Sequence, residues 1–206
     1  MSKPTYTPLP RRTHAGLSPD GAARKPLGAL IRARQSDCDR FMTFMINPKP
    51  ERPSISASYG FTPSTPHTPL DWNDIGERIR ASRNYWICSI SPDGYPHALP
   101  VWGVWVNNQL YFVTKRASKK ARNLLSNPKV AIHLESGDDV VSFQGSAVEV
   151  TDPRHLAQVA AIYSEKYNGD QIYRDLEVVF ELMPRLAFTW QEKNYHETAT
   201  RWRFGT

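Results

Sequence analysis

Cysteine is scarce in this sequence: its 206 residues hold two, Cys38 and Cys88, at a spacing that fits neither a disulfide framework nor a metal site. A reducing cytoplasm is the expected setting. Long apolar runs are absent as well, since the roughly 18 consecutive apolar residues of a bilayer-spanning helix occur nowhere. Arg11-Arg12 resembles a twin-arginine export signal, but no apolar stretch of signal-peptide length follows, so export is not indicated. Acidic residues are few at the front: of 20 Asp and Glu only four precede residue 71, against ten of the 26 Lys and Arg. The formal charge of +6 therefore belongs to the front of the chain, and the remainder is balanced. Eleven of the 17 prolines also fall before residue 70. Basic charge spread along a Pro-rich segment, rather than gathered on one folded face, argues against a nucleic-acid partner.

Several chemical signatures are missing too. Neither G-x-x-x-x-G-K-[ST] nor G-x-G-x-x-G is present, so a doubly wound nucleotide fold is not indicated. There is no G-x-S-x-G, and Ser91 and Ser142 have no recognisable base partner. His97, His133, His155 and His196 are scattered without ligand spacing, so no metal is expected.

What is present divides the chain at about residue 70. Residues 1–44 hold a single short apolar patch, Leu27 to Ile31, too little to offset ordering entropy, and disorder is expected there. Met45 opens Met-Ile-Asn-Pro-Lys-Pro-Glu-Arg-Pro, which reads as a native start with a short lead-in; residues 1–70 are thus a Pro/Arg-rich tail and lead-in, and 71–206 the folded domain. Asp71 is placed to cap a helix with Trp72, Ile75 and Ile79 at helical spacing, Leu70 acting as a hydrophobic staple, and an end near Asn84. Tyr85–Ser91, His97–Val106 and Gln109–Thr114 read as three strands joined by Pro92-Asp93-Gly94 and Asn107-Asn108 turns. Ser118 caps a short helix stopped by Asn127-Pro128. Strands at Val130–Glu135 and Val140–Val150 follow, then a helix opened by Asp152-Pro153 with an apolar face of Leu156, Val159, Ile162 and Tyr163. Val178–Met183, Leu186–Gln191 and Thr198–Phe204 are the last strand candidates. Six or more antiparallel strands with a few helices predict an α+β fold built on a closed barrel.

One junction breaks the local rules. A helix start carries partial positive charge and favours acidic residues, yet the helix capped by Ser118 begins Lys119-Lys120. An anion seated there resolves the conflict: free N–H groups, two ammonium groups and the hydroxyls of Thr114 and Ser118 would cradle a phosphate. A solvated basic face is the competing reading, and the residues themselves name an anion and no more.

The stretch Asp93-Gly94-Tyr95-Pro96-His97-Ala98-Leu99-Pro100-Val101-Trp102-Gly103-Val104-Trp105 supplies a wider context, together with Leu110-Tyr111-Phe112, Ser118 through Leu124 and the closing Thr200-Arg201-Trp202-Arg203-Phe204. It resembles the pyridoxamine 5'-phosphate oxidase-like split-barrel flavoproteins, and is most similar to their flavin/deazaflavin-dependent oxidoreductase branch, which uses FMN or coenzyme F420. The resemblance implies a homodimer of six-stranded antiparallel split barrels with flanking helices and two cofactor sites across the interface. It also implies that Leu99, Pro100, Val101 and Trp102 run along the flavin ring, that Thr114, Ser118, Lys119 and Lys120 hold the phosphate, and that Trp190 and Arg201 reach the site from the other subunit. Lys115, Arg116 and Arg122 are candidates to screen the acidic tail of F420. Where pyridoxamine phosphate oxidases place an arginine and a lysine, this chain has Leu99 and Val104, so oxidation of vitamin B6 phosphate is not expected. The implied function is hydride transfer between F420 or FMN and a small organic substrate, with no catalytic acid or base nominated; His97 and Arg201 are candidate proton donors or charge stabilisers. A haem-handling or non-enzymatic barrel of the same shape is the alternative.

Overall fold

The computed structural model describes residues 48–205 apart from Pro63. The expectations for residues 1–44 and for Met45 fall outside the described residues. Helix α1 (Trp72–Ala81) begins where the sequence places it: Asp71 is extended, and its carboxylate accepts the Asn73 N–H at 2.7 Å. Ile75 and Ile79, one turn apart, are fully buried. Strands β2 (Asn84–Ile90), β3 (Pro96–Val106) and β4 (Gln109–Lys115) form an antiparallel meander. Asn107 and Asn108 both adopt positive φ, 50° and 60°, as the tight turn between β3 and β4 requires.

After α2 (Lys119–Ser126) come β5 (Lys129–His133), β6 (Asp139–Glu149), α3 (Pro153–Lys166), β7 (Glu177–Gln191), the short α4 (Tyr195–Thr198) and β8 (Thr200–Arg203). The order β7-β4-β3-β2-β5-β6 closes through β6–β7 pairing into a six-stranded antiparallel barrel. Its interior is filled by Tyr85, Ile87, Phe112, Phe143, Phe180 and Trp202, with Trp72 of α1 packed on Phe143 and Trp202. A second apolar layer joins α3 to the outer face of β3, β4 and β7, where Leu156, Val159 and Tyr163 meet Val104, Tyr111 and Val179. Each such fully buried side chain stabilises the fold by about 1.5–3 kcal/mol. Ile162, expected on that face, lies instead on the solvent side of α3 at 36% exposure.

Two expectations are corrected. The strand candidates Val178–Met183 and Leu186–Gln191 are one strand, β7, carrying a bulge: Gly145 pairs with Pro184 and Gln144 with Leu186, so Arg185 has no opposite number. Proline cannot donate to a ladder and sits where the ladder is already interrupted. The lead-in also does not stand apart from the domain. Strand β1 (Lys49–Glu51) pairs with β8, and the segment after it is tied down by Arg52 donating to the Thr65 carbonyl at 2.6 Å and by His67 bonding Thr200 at 3.2 Å.

Candidate functional site

Strand β3 is shared unequally. Pro96 to Trp102 pair with β2, while pairing with β4 begins only at Trp102 and runs to Val106. Among the described residues no strand pairs with the edge of β3 from Pro96 to Val101 that faces away from β2, which leaves backbone groups there open to a ligand. Leu99 makes the opening visible: it stands opposite Ile87, which is fully buried, yet is itself 44% exposed. Pro100 is exposed and Val101 buried. The Trp102 ring turns to the other face, stacked on Tyr167 at 4.5 Å between ring centres with the Arg83 guanidinium over it. Its side chain is committed to Tyr163 and Tyr167 at the end of α3, and its backbone pairs with β2 and β4 on either side, so the open edge ends before it. Trp105, three residues on, points into the barrel, so the two tryptophans do take opposite faces.

Beside this opening lies the start of α2. Ser118 is the N-cap, accepting the Ala121 N–H at 3.1 Å, and its hydroxyl lies 3.1 Å from that of Thr114. Lys120 is half-buried with no acidic partner among the described residues, and burial holds its pKa below the ordinary lysine value. The electrostatic reach of Lys119 and Lys120 extends to His97 on β3: burial first, then these two ammonium groups, hold the imidazole pKa down. The His97 Nδ1 is buried with no hydrogen-bond partner. Asn123 fixes α2 against the barrel, its buried amide donating to the Ser89 hydroxyl at 3.1 Å. Thr114 and Ser118 are thus joined at the start of α2, and Lys119 and Lys120 of the same turn act on His97, which lies on the open part of β3. Lys115 and Arg116 are exposed, and Arg116 is ion-paired with Glu149.

Trp190 and Arg201 are not part of that grouping within one chain. Both sit on the outer face of the far strands, Trp190 opposite Val140 and Arg201 opposite Phe188. A cross-strand row connects the two regions: Pro100, Trp86, His133, Ser142, Phe188, Arg201 and Glu51 are successive register partners from β3 to β1. None of them is buried, and Trp86 lies flat against His133 with an interplanar angle of 5°.

The donor set fits the phosphate end of a flavin-type cofactor. It offers two hydroxyls, an ammonium group without a counter-charge and a buried imidazole nitrogen without a partner, at a helix start. An exposed apolar wall adjoins it at Leu99 and Pro100. Asn123, Trp86, His133, Ser142, Phe188 and Glu51 were not singled out as binding residues from the sequence, and His97 was named there only as a candidate proton donor or charge stabiliser. Asn123, a polar residue on the buried face of an amphipathic helix, was the one legible signal among them.

The closed six-stranded antiparallel barrel with flanking helices is the architecture that the resemblance implied. The family model described as Pyridoxamine 5'-phosphate oxidase matches residues 73–191, more than half of the chain, and the chain belongs to that family. No curated protein matches the sequence. Among solved structures, the chain is similar to the conserved hypothetical protein Rv2991 from Mycobacterium tuberculosis, at 27% identity and a TM-score of 0.55, covering 61% of this chain and 87% of that one. It is also similar to a putative pyridoxamine 5'-phosphate oxidase from Listeria innocua, at 17% identity and a TM-score of 0.49 over 57% and 95% of the two chains. A structure titled F420 reductase matches at 21% identity and a TM-score of 0.45 over 54% and 94%.

Proposed function

We propose that this protein is an oxidoreductase that binds FMN or coenzyme F420 at the opening of its barrel and transfers hydride between the cofactor and a small organic substrate. The observation that carries the proposal is the pair Lys119-Lys120 at the α2 start, with Lys120 half-buried and lacking an acidic partner, beside the unpaired edge of β3. Thr114, Ser118, Lys119 and Lys120 would hold the phosphate, and Leu99 to Trp102 would run along the ring, with backbone groups of Leu99 to Val101 offered to its polar edge. The bound cofactor would supply the hydride chemistry, as flavins and deazaflavins do. The protein's share is binding, orientation and exclusion of water. Burial and then the two lysines hold the His97 pKa below the ordinary imidazole value, and its unpartnered Nδ1 is available to the ligand.

FMN and F420 share this ring-and-phosphate chemistry, and nothing in the cations nearby divides them. Arg116 is engaged by Glu149, and Arg122 donates to the Ala117 carbonyl at 2.5 Å, so two of the three cations suggested for an F420 tail have other partners. A homodimer is part of the proposal. The unburied row from Pro100 through Trp86 and Phe188 to Arg201 is aromatic at its centre, and a second copy seated on it would bring Trp190 and Arg201 of one chain toward the open β3 edge of the other. Titrating the purified chain with FMN and with F420, alongside a Lys119→Ala/Lys120→Ala variant, tests the reading. Saturable binding of one cofactor that the double variant loses supports it; binding of neither, or a haem Soret band in their place, overturns it.

A further inference from the structure

We infer that Glu51, on the strand that precedes the family-matched region, is the positioning residue for Arg201, and that the segment around it braces the residues a dimer would send to its partner's site. This rests on the proposed function, and the Glu51 contacts it uses lie outside the matched span of residues 73–191. One Glu51 carboxylate oxygen accepts from Arg201 twice, from Nε at 3.1 Å and Nη2 at 2.8 Å. The same carboxylate takes the Arg203 Nε at 2.9 Å. Glu51 and Arg201 are also register partners in the β1–β8 ladder, so backbone and side chain fix the same pair.

The charge pattern shows what the carboxylate does. The carboxylate of Glu51 bonds both Arg201 and Arg203, so one acid separates two cations two residues apart on β8. Without that acid the cations repel one another and the Arg201 side chain is released to solvent. Arg203 is the more exposed of the two arginines, 51% against 27%, and stands nearer the sheet's end. A second contact chain runs parallel to the first. Phe61 packs edge-on against Tyr195 at 5.4 Å, and Tyr195 packs edge-on against Trp190 at 5.8 Å. The Tyr59 carbonyl bonds the His196 Nε2 at 2.7 Å, holding the segment to α4. Both residues expected to act in trans, Trp190 and Arg201, are therefore set in place by the segment from residue 49 to 61.

The test compares wild type, Glu51→Gln, Glu51→Asp and Arg203→Gln, full-length, by titration with FMN and with F420 and by hydrogen exchange. Glu51→Gln should weaken binding of whichever cofactor wild type takes by roughly three- to tenfold. Its β2 and β4 amides should stay as protected as in wild type. Glu51→Asp, which keeps the charge, should recover part of that loss, and Arg203→Gln should bind within about twofold of wild type. Equal or tighter binding by Glu51→Gln overturns the assignment, and so does an equal loss in Arg203→Gln, which would mark general loosening of the sheet edge. A wild-type chain that binds neither cofactor overturns the proposed function and this assignment with it; a chain that binds normally while Glu51→Gln is silent overturns the assignment alone.

Discussion

Two lysines with opposite fates show what single residues contribute. Lys120 is half-buried at a helix start without a counter-charge, an arrangement that costs stability unless an anion arrives. Replacing Lys119 or Lys120 by Ala should therefore weaken cofactor binding by roughly 5- to 30-fold each while leaving the melting temperature unchanged or raised. Parallel titration and thermal melts check both halves of that expectation. Lys166 is also half-buried, but its Nζ donates to the Tyr85 hydroxyl at 2.8 Å and sits over the Tyr85 ring. Burial pushes its pKa down to about 8. The unfolded chain, with an ordinary lysine, then holds more protons at this group than the folded one from about pH 8 to about pH 10.5, so Lys166 adds stability as pH rises through that window. The buried tyrosines Tyr85, Tyr111, Tyr163 and Tyr167, whose pKa values burial raises, act in the opposite direction as pH approaches 10. Denaturant melts at pH 7.5 and 9 should show wild type gaining stability relative to Lys166→Met; a relative loss over that range would contradict the placement of Lys166.

Elements that obey local rules were the legible ones. Asp71 and Asp152 cap helices where sequence alone puts the caps, and Asn107-Asn108 turns the chain between β3 and β4. Asp152→Ala should cost about 1 kcal/mol, since its carboxylate accepts the N–H groups of Arg154 and His155. The bulge in β7 was not legible as a continuous strand, because Pro184 reads as a break until Gly145 is seen opposite it. A Cβ on Gly145 would lie 2.2 Å from the Met183 carbonyl oxygen, whereas one on Gly137 would meet nothing within 4 Å. Gly145→Ala should accordingly destabilise by about 2 kcal/mol or more, with Gly137→Ala close to neutral in the same melt. The half of the candidate site proposed to hold phosphate drew notice in the sequence because Lys119 and Lys120 violate helix-start preference within a few residues. Its other parts depend on register between distant strands: the open β3 edge exists only because β4 stops pairing at Trp102, and Glu51 meets Arg201 only through the β1–β8 ladder. Nor does period-two patterning tell that the Trp102 ring is claimed by Tyr167.

At the scale of the whole molecule, the barrel is asymmetric. One outer face is covered by α3, whereas the row from Pro100 to Glu51 stays unburied although it carries Trp86 and Phe188. If a second copy covers this row, Trp86→Asp or Phe188→Asp should convert a dimer to a monomer in sedimentation velocity without unfolding the barrel, and should weaken cofactor binding at the same time. The measurement that bears most directly on the proposed function is the absorption and fluorescence of the purified full-length chain, alone and titrated with FMN and F420. A flavin band in the purified protein, or saturable quenching of F420 fluorescence, lost on Lys119→Ala/Lys120→Ala substitution, is the predicted result. A colourless protein that leaves both cofactors unperturbed, or one that binds them equally well without the two lysines, would contradict it.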